Sequence, residues 1–174
     1  LAASEKVYNV ILDSVAITDK EEYLEPTLSA LASELGIETA SVRSYIAQNS
    51  ETSRYHVLAK RLTYEEIAGF LEAQEAEGSK IKGIWFEEEY TRVYPGNTLA
   101  CDIIGFTTND NVGQYGLEEY YDDVLSGIPG REYGYLNNDS ALERTTIAAE
   151  DGNSIVTTID ANIQKIVEEK LTEY

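Results

Sequence analysis

The sequence contains few residues whose type and spacing could support catalysis. His56 is the only histidine, and it lies between apolar and aromatic residues of a predicted strand. No serine or cysteine nucleophile and no carboxylate can be tied to it by spacing, as a hydrolytic triad would require. We therefore expect His56 to have a structural or surface role.

One pattern of a serine nucleophile is present, because Ser79 and Lys82 form a literal S-x-x-K. In serine acyl-transferases this motif opens an apolar helix and is completed by S-x-N and K-T-G motifs, which do not occur here. It follows Gly78, which ends a predicted helix, and lies in a polar linker. We interpret the pattern as a chance occurrence.

The carboxylates also fail to specify a site. The run Glu87–Glu89 lies within a predicted strand and is better explained as a solvent-facing edge than as an acid/base pair. A calcium loop can be aligned by placing Gly113 at its invariant glycine. Loop positions one, three, five and twelve are then Thr108, Asp110, Val112 and Glu119. Threonine and valine are poor ligands at these positions, so we predict no metal site and no cofactor.

Cys101 is the single cysteine, so it cannot form an internal disulfide or a zinc site. It lies in the apolar run LACDII and is expected to be a small buried hydrophobic residue.

Charge excludes several partner classes. The chain has 174 residues, 32 of them acidic and 13 basic, and a net charge of -19. A surface this negative repels phosphate backbones and anionic headgroups, so we expect no nucleic-acid binding and no direct membrane binding. The first residue is Leu1 and no methionine occurs, which indicates an excised or processed segment.

The predicted elements alternate between helices and strands. The predicted strands are 5–13, 54–62, 83–94 and 153–159, and residues 131–150 are predicted as a hairpin or extended arm. Helices are predicted after the capping residues Thr18, Thr39, Thr63 and Asp160, and from about Leu117 to Leu125. Three of these helices are expected to end at a glycine. The helix after Thr18 would end at Gly36, the helix after Thr63 at Gly78, and the helix that begins near Leu117 at Gly127. Because few strands follow one another directly, this order predicts an α+β fold.

Turn-forming residues concentrate in the segment Arg92–Gly130, which contains two of the three prolines and six of the twelve glycines. Such a density indicates forced turns and close backbone contacts. Five short motifs occur in order in and beyond this segment. They are Arg92-Val93-Tyr94-Pro95, Ile103-Ile104-Gly105-Phe106, Gly116-Leu117-Glu118, Leu125-Ser126-Gly127-Ile128-Pro129-Gly130, and Asp151-Gly152 followed by Thr158-Ile159-Asp160-Ala161-Asn162-Ile163-Gln164.

Together these motifs resemble the N-terminal dimerisation or pedestal domain of class B penicillin-binding proteins, over nearly the whole chain. Leu1–Ser4 is similar to the tail of that family's first motif, whose arginine-containing part would lie upstream. The resemblance implies an irregular strand-rich body, residues 1–13 and 81–174, with a helix-rich head at about 14–80. It also implies a membrane anchor and a transpeptidase domain, both absent from this chain.

The function implied by the resemblance is non-catalytic. The module would position the catalytic domain of a peptidoglycan D,D-transpeptidase on the outer face of the cytoplasmic membrane. Its implied partners are a polytopic membrane glycan polymerase and other cell-wall synthesis proteins, with self-association left open and the membrane reached only through the missing anchor. Two alternatives stay open, an extracellular adhesin-like binding module and a small hydrolase that uses paired carboxylates.

The motif residues are expected to have structural roles. They are Arg92, Tyr94, Pro95, Gly105, Gly116, Leu117, Glu118, Gly127, Gly130, Asp160 and Gln164. We hypothesise that Arg92 pairs with Glu118 and locks a strand to a helix; the alternative is that Glu118 pairs with the missing upstream arginine.

Overall fold

The computed structural model describes residues 1–136 and 142–173, with the backbone alone described at 132–136 and 142–146. The chain divides into two compact units. The N-terminal unit is Ser4–Thr91, and the C-terminal unit consists of Leu1–Ala3 and Arg92–Tyr174. Both contain helices and antiparallel strands, which agrees with the predicted α+β class. The division into a head at 14–80 and a body stays a prediction.

The N-terminal unit is a three-stranded sheet packed against helices, with strand order β2-β1-β3. Its elements are β1 Ala3–Leu12, α1 Ser14–Thr18, α2 Glu21–Leu35, α3 Thr39–Asn49, β2 His56–Leu62, α4 Tyr64–Glu75 and β3 Ile84–Val93. β1 is the central strand, and it pairs with β2 in antiparallel register, with Leu12 opposite His56.

The core of this unit lies between the sheet and α2 and α4. Val10 and Leu12 of β1 contact a cluster that includes Leu28, Leu31 and Phe70, all of them almost fully buried. The spacing of Leu24, Leu28, Leu31 and Leu35 along α2 places these side chains on one helix face, which is why the helix packs on the sheet. The acidic run Glu87–Glu89 lies on β3, an edge strand of the sheet, as predicted.

Some helix ends follow local signals. Gly36 ends α2 in the left-handed conformation, and Thr63 and Glu66 form the predicted reciprocal capping box at the start of α4. The predicted cap at Thr18 is wrong, because this residue ends α1 and its hydroxyl donates to the carbonyl of Ser14. Thr39 is likewise the first residue of α3 rather than its cap.

The C-terminal unit has shorter elements joined by turns. They are α5 Cys101–Ile104, α6 Gly116–Tyr120, α7 Asp122–Leu125, β4 Arg131–Leu136, β5 Leu142–Ile147 and α8 Ala161–Thr172. The single helix predicted at 117–125 is broken at Tyr121, whose φ of -112° is not helical. β4 and β5 form the predicted hairpin, with Arg131 opposite Ile147; residues 137–141 lie outside the described part.

The strand predicted at 153–159 is wrong. These residues pair with no strand in the described part of the chain, and Val156 is 95% exposed. β-branched residues favour extended backbone, but a strand needs a hydrogen-bonding partner, which local sequence does not supply. The helix predicted after Asp160 is confirmed as α8.

Candidate functional site

A part-buried ion pair within the C-terminal unit joins Arg92, near the end of β3, to Glu118 of α6. Arg92 Nε donates to Glu118 Oε1 at 2.9 Å, and the two side chains are 17% and 4% exposed. This is the first of the two pairings considered for Glu118. Glu118 lies in the first turn of α6, where the helix dipole favours a negative charge. The pair therefore connects a strand residue and a helix residue that are 26 positions apart in the chain.

The chain turns sharply after this strand. The carbonyl of Tyr94 accepts a hydrogen bond from the N–H of Asn97 at 2.8 Å, which closes a turn over Pro95 and Gly96. The fixed φ of proline suits the second position of such a turn. Burial raises the pKa of the Tyr94 phenol, and the nearby Glu118 carboxylate raises it further. Tyr94 is therefore close to the ion pair, and the turn over Pro95 and Gly96 follows it directly.

Two glycines allow backbone segments to touch directly. Gly105 has φ of 81° and ψ of -156°, and a Cβ atom there would overlap the carbonyl oxygen of Tyr115. At Gly116, φ is 62° and a Cβ atom would overlap the carbonyl oxygen of Ile103. Both conformations are unfavourable for residues with a side chain. The end of α5 and the start of α6 therefore approach each other more closely than any other residue type would permit.

The sequence did not predict a contact between two further residues of this region, Gly113 and Asp122. A Cβ atom at Gly113 would overlap the carbonyl oxygen of Glu118. The backbone N–H of Gly113 donates to Asp122 Oδ1 at 2.9 Å. The spacing of nine residues between Gly113 and Asp122 matches no local capping pattern, so the contact could not be read from sequence.

A second close backbone contact involves Gly127 and Gly152. A Cβ atom at Gly127 would overlap the carbonyl oxygen of Glu150, and one at Gly152 would overlap that of Leu125. Between them, Ile128 and Glu150 exchange two backbone hydrogen bonds of 2.8 and 2.9 Å. A Cβ atom added at Gly130 would lie only 2.8 Å from the backbone nitrogen of Ala149. These glycines therefore pair the segment after α7 with the segment after β5.

The last helix is attached to its unit through polar side chains. Asp160 caps α8 by accepting from the N–H groups of Asn162 and Ile163. Glu168 Oε1 accepts from the N–H of Ala100 at 2.8 Å and from Gln164 Nε2 at 2.7 Å. These two hydrogen bonds hold the pKa of Glu168 below its usual range, and the bond from Gln164 has the larger effect. Glu168 was missed in the sequence, because nothing local relates it to Ala100.

The residues considered first for chemistry are not brought together. His56 stacks on Tyr45, with ring centroids 3.6 Å apart. The Ser79 hydroxyl donates to the carbonyl of Ala73, so it closes the end of α4. Cys101 is exposed, which corrects the expectation of burial, because the single-turn helix α5 turns Ile104 inward instead.

Neither a metal centre nor a membrane span is found in the part of the chain that is described. Residues 1–136 and 142–173 contain no cluster of three or more potential metal-ligating side chains. Within the same ranges, no helix combines the length and the apolar character that crossing a bilayer requires.

The comparison with protein families decides what this arrangement is. A family model described as "Penicillin-binding Protein dimerisation domain" matches residues 1–157. The chain belongs to this family. The ion pair and the glycine contacts of Arg92–Gly130 are therefore features of a dimerisation domain, which agrees with the resemblance of its motifs.

Relatives and solved structures agree with this assignment. The peptidoglycan D,D-transpeptidase FtsI of Buchnera aphidicola subsp. Schizaphis graminum is 27% identical over 98% of this chain, which spans 29% of that protein. The crystal structure of penicillin-binding protein 2X from Streptococcus thermophilus has a TM-score of 0.73 at 22% identity, over 99% of this chain and 28% of that one. A complex of penicillin-binding protein 2 and MreC from Helicobacter pylori matches with a TM-score of 0.58 at 17% identity, over 99% of this chain and 35% of that one.

Proposed function

We propose that this chain is a non-catalytic pedestal module that positions the catalytic domain of a peptidoglycan D,D-transpeptidase. The parent is a single-pass membrane protein whose catalytic domain works outside the cytoplasmic membrane. Within this assignment the motif residues have structural roles, and the catalytic serine belongs to the rest of the protein. The observation that supports this proposal is the match to the dimerisation domain. In addition, a relative named as a D,D-transpeptidase is aligned with this chain over only 29% of the relative's own length.

The surface of α8 supports an attachment to a further domain. Its only half-buried residues are Gln164 and Glu168, whereas its apolar side chains point away from the unit. These exposed apolar residues are Ile163, Ile166, Val167 and Leu171, between 47% and 71% exposed. A continuous apolar helix face normally packs against another element. We assign this face to the transpeptidase domain of the proposed parent protein.

The partner assignment has a separate origin. The Helicobacter pylori structure is a complex of penicillin-binding protein 2 with MreC, so a protein of the same fold assembles with a cell-wall protein. We extend this to the present module, with a polytopic glycan polymerase as a second partner. The exposed helices of residues 14–80 are the surface we assign to docking.

Penicillin labelling tests the proposed function. We expect the full product of the gene that encodes this chain to be labelled covalently by a fluorescent penicillin. Mass spectrometry of the labelled peptide should identify a serine outside residues 1–174, and the chain 1–174 by itself should take no label. A label on a serine within residues 1–174, or a full gene product that takes no label, would contradict the proposal.

The α8 face makes a second prediction. Changing Ile163 and Ile166 to serine should leave the unfolding of the chain 1–174 nearly unchanged, because both side chains are exposed. In the full gene product the same double change should increase protease cleavage near residue 160 and lower the melting temperature of the penicillin-labelled domain. The control double change, Lys165→Ser with Glu169→Ser, introduces two serines into the same helix on its exposed polar side. Equal effects of the two double variants in the full product would exclude α8 as the attachment.

A further inference from the structure

One edge of the sheet in the N-terminal unit carries exposed aromatic and acidic side chains. This edge belongs to β3, the terminal strand in the order β2-β1-β3, and no further strand lies beside it among the described residues. β3 has ten residues and contains neither lysine nor proline, two residue types that commonly protect exposed edges from pairing. An extended peptide can therefore add to the sheet along this edge through main-chain hydrogen bonds.

The two faces of β3 differ in their neighbours. Ile84 belongs to the buried core and Phe86 packs against it, so the even-numbered positions face the helices. Trp85 lies on the opposite face and is 42% exposed. Its ring makes an edge contact with the ring of Tyr55, which is 53% exposed, at a centroid distance of 5.9 Å. The face away from the helices therefore presents two exposed aromatic rings at the terminal strand.

The acidic run Glu87–Glu89 occupies the middle of the same strand. Its carboxylates lie on both faces, because successive side chains of a strand alternate. Two of them have a cation nearby, since Lys6 Nζ lies 2.8 Å from Glu88 and Arg61 Nη2 lies 3.8 Å from Glu89. A second copy of β3 paired antiparallel at this run would place glutamates opposite glutamates, which is destabilising. Charge therefore favours a basic segment at this edge and disfavours self-pairing.

The most specific position lies between Glu87 and Trp85. Glu87 accepts a hydrogen bond from the Tyr55 hydroxyl at 2.7 Å, and this bond raises the pKa of the phenol. Because the donor is neutral, the contact leaves the charge of Glu87 uncompensated. Trp85 lies two residues earlier on the same face, about 7 Å away along the strand. An arginine opposite Glu87 can therefore bind the carboxylate and stack on the indole ring, which lysine does less well.

We propose that the free edge of β3 is a docking site for an extended basic segment of a partner protein. The segment adds as a further strand, places three consecutive basic residues opposite Glu87–Glu89, and holds one arginine against Glu87 and Trp85. The net charge of -19 attracts such a segment over longer distances. The inference goes beyond the pedestal role, because it defines the partner by its chemistry and does not depend on the parent enzyme.

A titration with a symmetric peptide tests the site. The probe is an acetylated, amidated heptapeptide of sequence Thr-Val-Arg-Arg-Arg-Val-Thr, which presents the same arginines in either strand direction. Trp85 is the only tryptophan in the sequence, so its fluorescence in the chain 1–174 should change in a saturable manner. Those amides of residues 85–90 that exchange rapidly in the free chain should become protected from hydrogen exchange. The peptide Arg-Val-Thr-Arg-Thr-Val-Arg, of equal composition and charge, should bind at least about tenfold more weakly.

Two matched triple variants separate the acidic run from the overall charge of the chain. Changing all three residues of Glu87–Glu89 to glutamine should weaken binding of the probe by about tenfold or more. Glutamine is similar in size to glutamate and can still accept the hydrogen bond from Tyr55. The control combines Glu72→Gln, Glu75→Gln and Glu77→Gln, which remove the same charge from exposed positions in and just after α4 and should leave binding nearly unchanged. Hydrogen exchange of both free variants checks that the sheet is retained.

Four results would overturn the inference. One is the absence of a saturable change, in Trp85 fluorescence and in hydrogen exchange at residues 85–90, up to millimolar peptide. Another is equal binding of the two peptides or equal weakening by the two triple variants, because charge alone would then account for binding. A third is binding without protection of these amides, since the peptide would not be added as a strand. The fourth is self-association that protects the same amides without peptide, which would make a second copy the occupant.

Discussion

Replacing Gly105 with alanine will lower the free energy of unfolding of the C-terminal unit by about 3–5 kcal/mol. Two costs add at this position. The backbone has φ of 81° and ψ of -156°, a region that is essentially closed to residues with a Cβ atom. The new methyl group would also overlap the carbonyl oxygen of Tyr115, a backbone atom that cannot move without displacing α6.

Gly78→Ala is the matched control for this prediction. Gly78 has φ of 78°, close to that of Gly105, but nothing lies within 4 Å of an added Cβ atom. It should therefore cost only about 1 kcal/mol, from backbone conformation alone. Gly105 lies in the C-terminal unit and Gly78 in the N-terminal unit, so amide hydrogen exchange of residues 101–120, which reports local stability, is the appropriate measurement for the Gly105 variant. A cost for Gly105→Ala that equals the cost for Gly78→Ala would show that the backbone contact with Tyr115 is not tight.

Replacing Glu118 with alanine will destabilise the C-terminal unit by about 3–5 kcal/mol. The change leaves the Arg92 guanidinium, which is only 17% exposed, without the carboxylate that compensates its charge. Losing this carboxylate costs more than the intact pair contributes, because it no longer offsets the desolvation of the guanidinium. Urea unfolding followed by hydrogen exchange at residues 92–120 measures the loss.

Two further variants distinguish a charge effect from a packing effect. Glu119→Ala removes a neighbouring but exposed carboxylate of the same helix and should change stability by less than about 0.5 kcal/mol. The double variant Arg92→Met with Glu118→Met removes both charges and should recover most of the stability lost in Glu118→Ala. A double variant less stable than Glu118→Ala would indicate that shape and hydrogen bonding at this site matter more than charge.

Much of the local structure could be predicted because its causes are local. The capping box of Thr63 and Glu66, the left-handed Gly36 and the cap at Asp160 each involve residues at most five apart in the chain. The cap at Thr18 had the same local pattern and failed, since α1 occupies those residues and ends there. A capping motif specifies where a helix can start, and the competing element decides whether it does.

The long-range contacts within Arg92–Gly130 could not be predicted from the sequence alone. The density of glycines indicated close backbone approach, but the partners Tyr115, Ile103 and Glu118 of these glycines appear only in three dimensions. The pairing of Arg92 with Glu118 was one of two alternatives that sequence left open. The exposure of Cys101 and the hydrogen bond between Glu168 and Ala100 depend on how α5 and α8 pack, which no periodicity encodes.

The sequence by itself determined the α+β class, the family motifs and most helix positions, because these depend on composition, spacing and short-range hydrogen bonds. Only the tertiary structure decided that residues 153–159 have no strand partner among residues 1–136 and 142–173, and that the apolar face of α8 is exposed. Each of these depends on which surfaces meet after the chain folds. That is set by packing between residues far apart in sequence, for which local patterns carry no information.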